Sequence, residues 1–75
     1  MAFLPVLSGR EVVRAFTHDG WHVERQSGSH IILIKSGSMV TLSVPDHREV
    51  AKGTLRSLIR SSGLTVEEFA ALVRK

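Results

Sequence analysis

Histidine, serine and the basic side chains carry the chemistry open to this sequence. Its 75 residues include 4 histidines and no cysteine. That excludes a Cys nucleophile, a disulfide framework and a thiolate zinc site. No Gly-x-x-x-x-Gly-Lys loop, Gly-x-Gly-x-x-Gly turn or Gly-x-Ser-x-Gly elbow is present. The carboxylates do not cluster as a magnesium site requires. Neither a metal nor a small-molecule cofactor is therefore expected. What remains is proton transfer by imidazole and charge stabilisation by Lys and Arg. Those groups suffice where the substrate brings its own nucleophile, as RNA does with its 2′-OH. The protein then deprotonates the hydroxyl, steadies the phosphate and protonates the leaving oxygen.

The four histidines differ in setting. His18 falls in the last turn of a helix, where an imidazolium complements the dipole. His22 falls on an exposed strand position, and both read as structural. His47 follows Pro45 and reads either as a loop residue or as an auxiliary polar group. His30 follows Gly28 and Ser29, so little side-chain bulk guards it and a ligand backbone can approach closely. On its strand, His30 shares a face with Ile32 and Ile34, and Ile31 and Leu33 share the other. Either His30 is open and Ile32 and Ile34 form an exposed strip suited to a protein partner, or His30 is a buried, hydrogen-bonded core residue.

The basic residues have a similar focus. Between Glu49 and Glu67 there is no acidic residue, yet Lys52, Arg56 and Arg60 recur at i, i+4 and i+8. At the helical period they share an arc of about 80°, flanking an apolar stripe of Leu55, Leu58 and Ile59. Gly53 and Thr54 add backbone N–H groups near the positive helix end, which suits a phosphate. A ridge gripping a nucleic-acid backbone fits, because a solubility face normally mixes both signs.

The elements that must position these groups are legible in outline. Ser8-Gly9-Arg10-Glu11 is a capping box, followed by Val12, Val13, Ala15 and Phe16 at helical spacing, so a first helix is expected over residues 9–19 with Gly20 as its stop. Trp21, Val23 and Arg25 alternate with His22, Glu24 and Gln26, which reads as a strand. Ser27-Gly28-Ser29 turns the chain into the β-branched run over residues 30–35. Ser36-Gly37-Ser38 turns it again into a strand over 39–44, with Val40, Leu42 and Val44 on one face and Pro45 as the end. The second helix carries the basic ridge and stops at Gly63, and a third starts at the capping box Thr65-Val66-Glu67-Glu68. The order α-β-β-β-α-α predicts one α+β domain over residues 1–75, with a three-stranded antiparallel sheet and helices on one face.

Composition agrees with this scale. Ten basic against 7 acidic residues give a formal charge of +3. A chain of this length buries roughly 60% of its unfolded surface, too little for a nucleotide-binding α/β sheet or a deep pocket. No run approaches the ~20 apolar residues of a membrane span, and the start of the chain shows no signal-peptide pattern. A reducing cytosol is permitted. Residues 60–70 resemble the front of a repressor-type helix-turn-helix, but the sequence provides no further helix to enter a major groove, so that reading is rejected.

Nearly end to end, the sequence resembles the HicA family of toxin endoribonucleases from bacterial toxin–antitoxin pairs. The matching residues are Leu4-Pro5-Val6-Leu7-Ser8-Gly9, Gly20-Trp21, Arg25-Gln26-Ser27-Gly28-Ser29-His30, Val44-Pro45-Asp46-His47 and Lys52-Gly53-Thr54-Leu55-Arg56-Ser57-Leu58. The chain departs from the family pattern at Ala51, where a second basic residue often stands, and in the acidic Asp46 and Glu49 around His47. The resemblance implies a double-stranded-RNA-binding-like fold, metal-independent mRNA cleavage in the cytoplasm and inhibition by a HicB-type antitoxin. It carries the catalytic role onto His30. Arg25, Gly28, Ser29, Lys52, Gly53, Thr54, Arg56 and Arg60 are then expected at the RNA, His47 as auxiliary, and Ile32 and Ile34 at the antitoxin. Two other readings use the same residues: a non-catalytic RNA-binding module, and a chain whose main business is protein interaction through Ile32 and Ile34.

Overall fold

The structure, a computed structural model, describes residues 3–75; Met1 and Ala2, part of the start read for a signal peptide, lie outside the described residues. The capping box at Ser8 is formed: its hydroxyl accepts from the Glu11 N–H, and the Glu11 carboxylate accepts from the Ser8 N–H. It starts helix α1 (Gly9–Thr17), two residues shorter than expected, because His18 already caps it and the chain turns through Asp19 and Gly20. Strands β1 (His22–Ser27), β2 (His30–Ile34) and β3 (Leu42–Pro45) follow, then helices α2 (Lys52–Ser62) and α3 (Val66–Val73). The sheet is antiparallel in the order β1-β2-β3.

The inner face of the sheet explains the helix placement. Ile31, Leu33, Leu42 and Val44 are buried in one cluster with Val12, Ala15 and Phe16 of α1, Leu55, Leu58 and Ile59 of α2, and Phe69 of α3. The helices thus cover one side of an α+β fold. Phe16 is its centre, with its ring 5.0 Å from Phe69 and 6.4 Å, edge-on, from Trp21.

Three expectations at the sheet are corrected. Trp21 is buried but precedes β1, and every β1 residue is exposed. The alternation of Val23 with Arg25 fails because the register shifts between them: Val23 pairs with Leu33, and Arg25 pairs with Ile32. A bulge at Glu24 therefore moves Arg25 to the outer face. The third strand begins at Leu42 rather than at Met39, since residues 39–41 belong to the connection and Met39 and Val40 are exposed. Pro45 stands inside that strand as its last residue, opposite His30, where a ladder can end on a residue without an N–H.

The first residues are sewn to α2. Leu4 and Leu7 are buried, the Val50 N–H donates to the Leu7 carbonyl at 2.8 Å, and the Lys52 ammonium donates to the carbonyls of Leu4 and Pro5. The far end of α2 closes on Gly63 at φ +84°, the left-handed stop expected there.

Candidate nucleic-acid interface

His30 stands open. The register of β2 buries Ile31 and Leu33 and leaves His30 exposed, so the two alternatives posed by the sequence resolve toward the open one. Its neighbours on the uncovered face are Ser27 across the β1 ladder, then Arg25, Ile32, Ser43 and Ile34 further along. Ile32 and Ile34 are half-buried rather than fully exposed; Ile32 has ladder partners on both sides, Arg25 and Ser43, and Ile34 on one, His22.

The turn before His30 is unobstructed. Gly28 has φ +59°, a left-handed value, and a Cβ built there would meet nothing within 4 Å. The two-residue turn Gly28–Ser29 thus leads into His30 with open space over it. The Ser29 carbonyl accepts from the Asp46 N–H at 2.7 Å, so the Gly-Ser-His and Val-Pro-Asp-His segments are physically joined. His47, exposed, lies two residues beyond the His30 cross-strand partner Pro45, and its carbonyl accepts from the Gly9 N–H at 2.9 Å. Gly9 is the tightest point of the arrangement. A Cβ on it would lie 2.1 Å from the Pro45 oxygen, so only glycine lets the start of α1 press against this segment. Nothing in the sequence marked that role beyond its place after the cap.

Asp46 gathers the side chains here. Its carboxylate accepts from Arg10 Nη2 at 3.4 Å and from Gln26 Nε2 at 3.3 Å. Neither Arg10 nor Gln26 is expected in a site from the sequence; Gln26 stands only within the matching Arg25–His30 segment, and Arg10 only beside the capping residues.

The basic residues divide into paired and free. Arg25 is ion-paired with Glu24 on the same strand. Lys52, Arg56 and Arg60 are all exposed on α2, as the spacing predicts, but Lys52 is committed to the Leu4 and Pro5 carbonyls. Arg56 and Arg60 have no ion pair among the described residues and border a shallow groove completed by Ile59, Leu64, Thr65 and Val66. Gly53 and Thr54 lie exposed in the first turn of α2, whose cap residue Ala51 offers no side-chain acceptor, leaving the N–H groups there open. Lys35, a basic residue outside the expected set, is held by Asp19 at 3.1 Å and lies 5.9 Å from the Trp21 ring centre. Among the described residues no three His, Asp or Glu side chains converge as a metal site, and no helix is long and apolar enough to cross a membrane.

Comparisons with known proteins converge on one group. A family model described as "HicA toxin of bacterial toxin-antitoxin" matches residues 9–64. Among solved structures, a chain of a toxin–antitoxin complex from Streptococcus pneumoniae superposes with a TM-score of 0.69 at 32% identity, covering 77% of this chain and 98% of that one. A search of curated proteins finds no match.

Proposed function

The chain belongs to the HicA toxin family, and from that premise we propose that it is an endoribonuclease toxin that cleaves mRNA with His30 as general acid/base. The observation that carries this reading is the exposure of His30 beside an unobstructed glycine turn, on the sheet face that no helix covers. The reaction needs no nucleophile from the protein. The 2′-oxygen of the substrate attacks the adjacent phosphorus and the bond from phosphorus to the 5′-oxygen breaks, leaving a 2′,3′-cyclic phosphate and a free 5′-hydroxyl. One proton leaves the 2′-OH and one is delivered to the 5′-oxygen. His30 performs one of these transfers, and His47 or a water performs the other.

Phosphate contacts outside the scissile group fall to Arg56 and Arg60, whose guanidiniums are unpaired, and to the open N–H groups at Gly53 and Thr54. Gly28 and Ser29 let the RNA backbone approach, and Arg25 lies on the same face as His30. Lys52 fits a supporting role better than a contact role, because its ammonium already satisfies two carbonyls. Such chemistry belongs in the cytoplasm, where mRNA is the substrate. The partner is a HicB-type antitoxin seated on Ile32 and Ile34; that the structural neighbour comes from a toxin–antitoxin complex supports a protein partner.

The nature of the nucleophile tests the proposal. RNA incubated with the protein and EDTA should be cut, with cyclic phosphate on the new ends, and a DNA strand of the same sequence should survive. Equal cutting of DNA would overturn the reading, because a 2′-deoxy strand has no internal nucleophile.

A further inference from the structure

Asp46 holds two side-chain donors beside the turn that leads into His30. Two donors from different elements, Arg10 Nη2 of α1 and Gln26 Nε2 of β1, converge on its one oxygen, Oδ2. Both contacts are long, at 3.4 and 3.3 Å, so neither is a close charge-assisted bond. The Arg10 side chain is 77% exposed and that of Asp46 22%, so the guanidinium is free to exchange partners at the surface. The backbone N–H of Asp46 is fixed to the Ser29 carbonyl, which anchors this carboxylate at the turn leading into His30.

Position relative to His30 follows from the register. Gln26 pairs with Ile31 on the helix side of the sheet, and His30 pairs with Pro45 on the open side. The donor pair and the imidazole therefore lie on opposite sides of the Gly28–Ser29 turn. That turn carries no side chain at Gly28 and has open space above it. An RNA strand crossing this turn would meet the imidazole on one side and the Arg10–Gln26 donor pair on the other.

We propose that Arg10 and Gln26 form a second phosphate-binding subsite for the RNA backbone, occupied in the free protein by the Asp46 carboxylate. This rests on the RNA reading above and deepens it. Asp46 then acts as an internal competitor. RNA has to displace it, so part of the attraction of Arg10 for phosphate is offset before binding begins. The acidic residue beside His47 lowers affinity by holding a specific arginine, rather than through its charge alone.

A double-mutant cycle reads this out, with a single-stranded 2′-O-methyl RNA that the 2′-OH chemistry cannot cut, and fluorescence anisotropy as the measure. Asp46→Asn should tighten binding about two- to fivefold, the size of a released surface ion pair. The gain should vanish in an Arg10→Ala background, and Arg10→Ala alone should reduce the salt slope of log K by about 0.7, one phosphate contact on a single strand. Glu49→Gln removes an equal charge from an exposed position nearby and should move affinity less than Asp46→Asn. Unchanged or weaker binding by Asp46→Asn, or a gain that survives without Arg10, would overturn the subsite and leave the RNA reading standing. Absence of any RNA binding by the parent protein would overturn both.

Discussion

His30 owes its availability to the parity of one strand. With Ile31 and Leu33 committed to the core, the period of two leaves position 30 on the open face. Because the side chain is exposed, removing it should cost the fold little: His30→Ala should keep its unfolding free energy within about 0.5 kcal/mol of the parent, measured by urea titration. Gly9 is the opposite case. Its hydrogen lies where a methyl would meet the Pro45 carbonyl, and backbone is on both sides of the contact. Gly9→Ala should therefore destabilise the protein by about 1–3 kcal/mol, as overpacking does. It should also impair function beyond that loss, because the displaced segment carries Asp46 and His47. A Gly9→Ala protein as stable as the parent would show that α1 does not press on this segment in solution.

At the scale of elements, α2 divides its work along its length. Its first residue fastens the start of the chain through Lys52, and about 12 Å further on, at a rise of 1.5 Å per residue, Arg60 stands free beside the α3 corner. Lys52→Ala should lower stability by about 1 kcal/mol, whereas Arg56→Ala and Arg60→Ala should leave stability unchanged and each reduce the salt slope of RNA binding by about 0.7. Comparing urea midpoints with salt titrations of the three variants separates the roles, and equal behaviour of all three would contradict the division. The spacing at i, i+4 and i+8 made the shared face of these residues legible. It could not show that Lys52 reaches carbonyls 47 and 48 positions away in sequence. The helices and the alternation along β2 were readable for a related reason: caps, glycine stops and period-two patterns are local signals. Which face of β2 turns inward was decided only by packing against the helices. The bulge at Glu24 and the late start of β3 were not legible, since both depend on pairing with β2. The convergence of Arg10 and Gln26 was not legible either, because their meeting point, Asp46, is 36 and 20 residues away.

In the whole molecule, the sheet has one side covered by helices and one bare side, and the two proposed partners would share that bare side. Ile32 and Ile34 lie on the bare side of β2, the same strand that carries His30. Ile32→Asp should weaken antitoxin binding by at least about tenfold, since it places a charge in an apolar contact, while cleavage by the free toxin persists; a pull-down beside an RNA assay checks both. Equal antitoxin binding by that variant would move the partner elsewhere. Small size suits this division of surfaces, because a substrate that supplies its own nucleophile can lie across a face and needs no deep pocket. The most direct test of the account is cleavage by His30→Ala with EDTA present, set beside its RNA affinity. The account predicts affinity close to that of the parent and cleavage reduced by at least about a hundredfold, the scale of a lost general acid/base. A variant that binds and cuts RNA as well as the parent would contradict it.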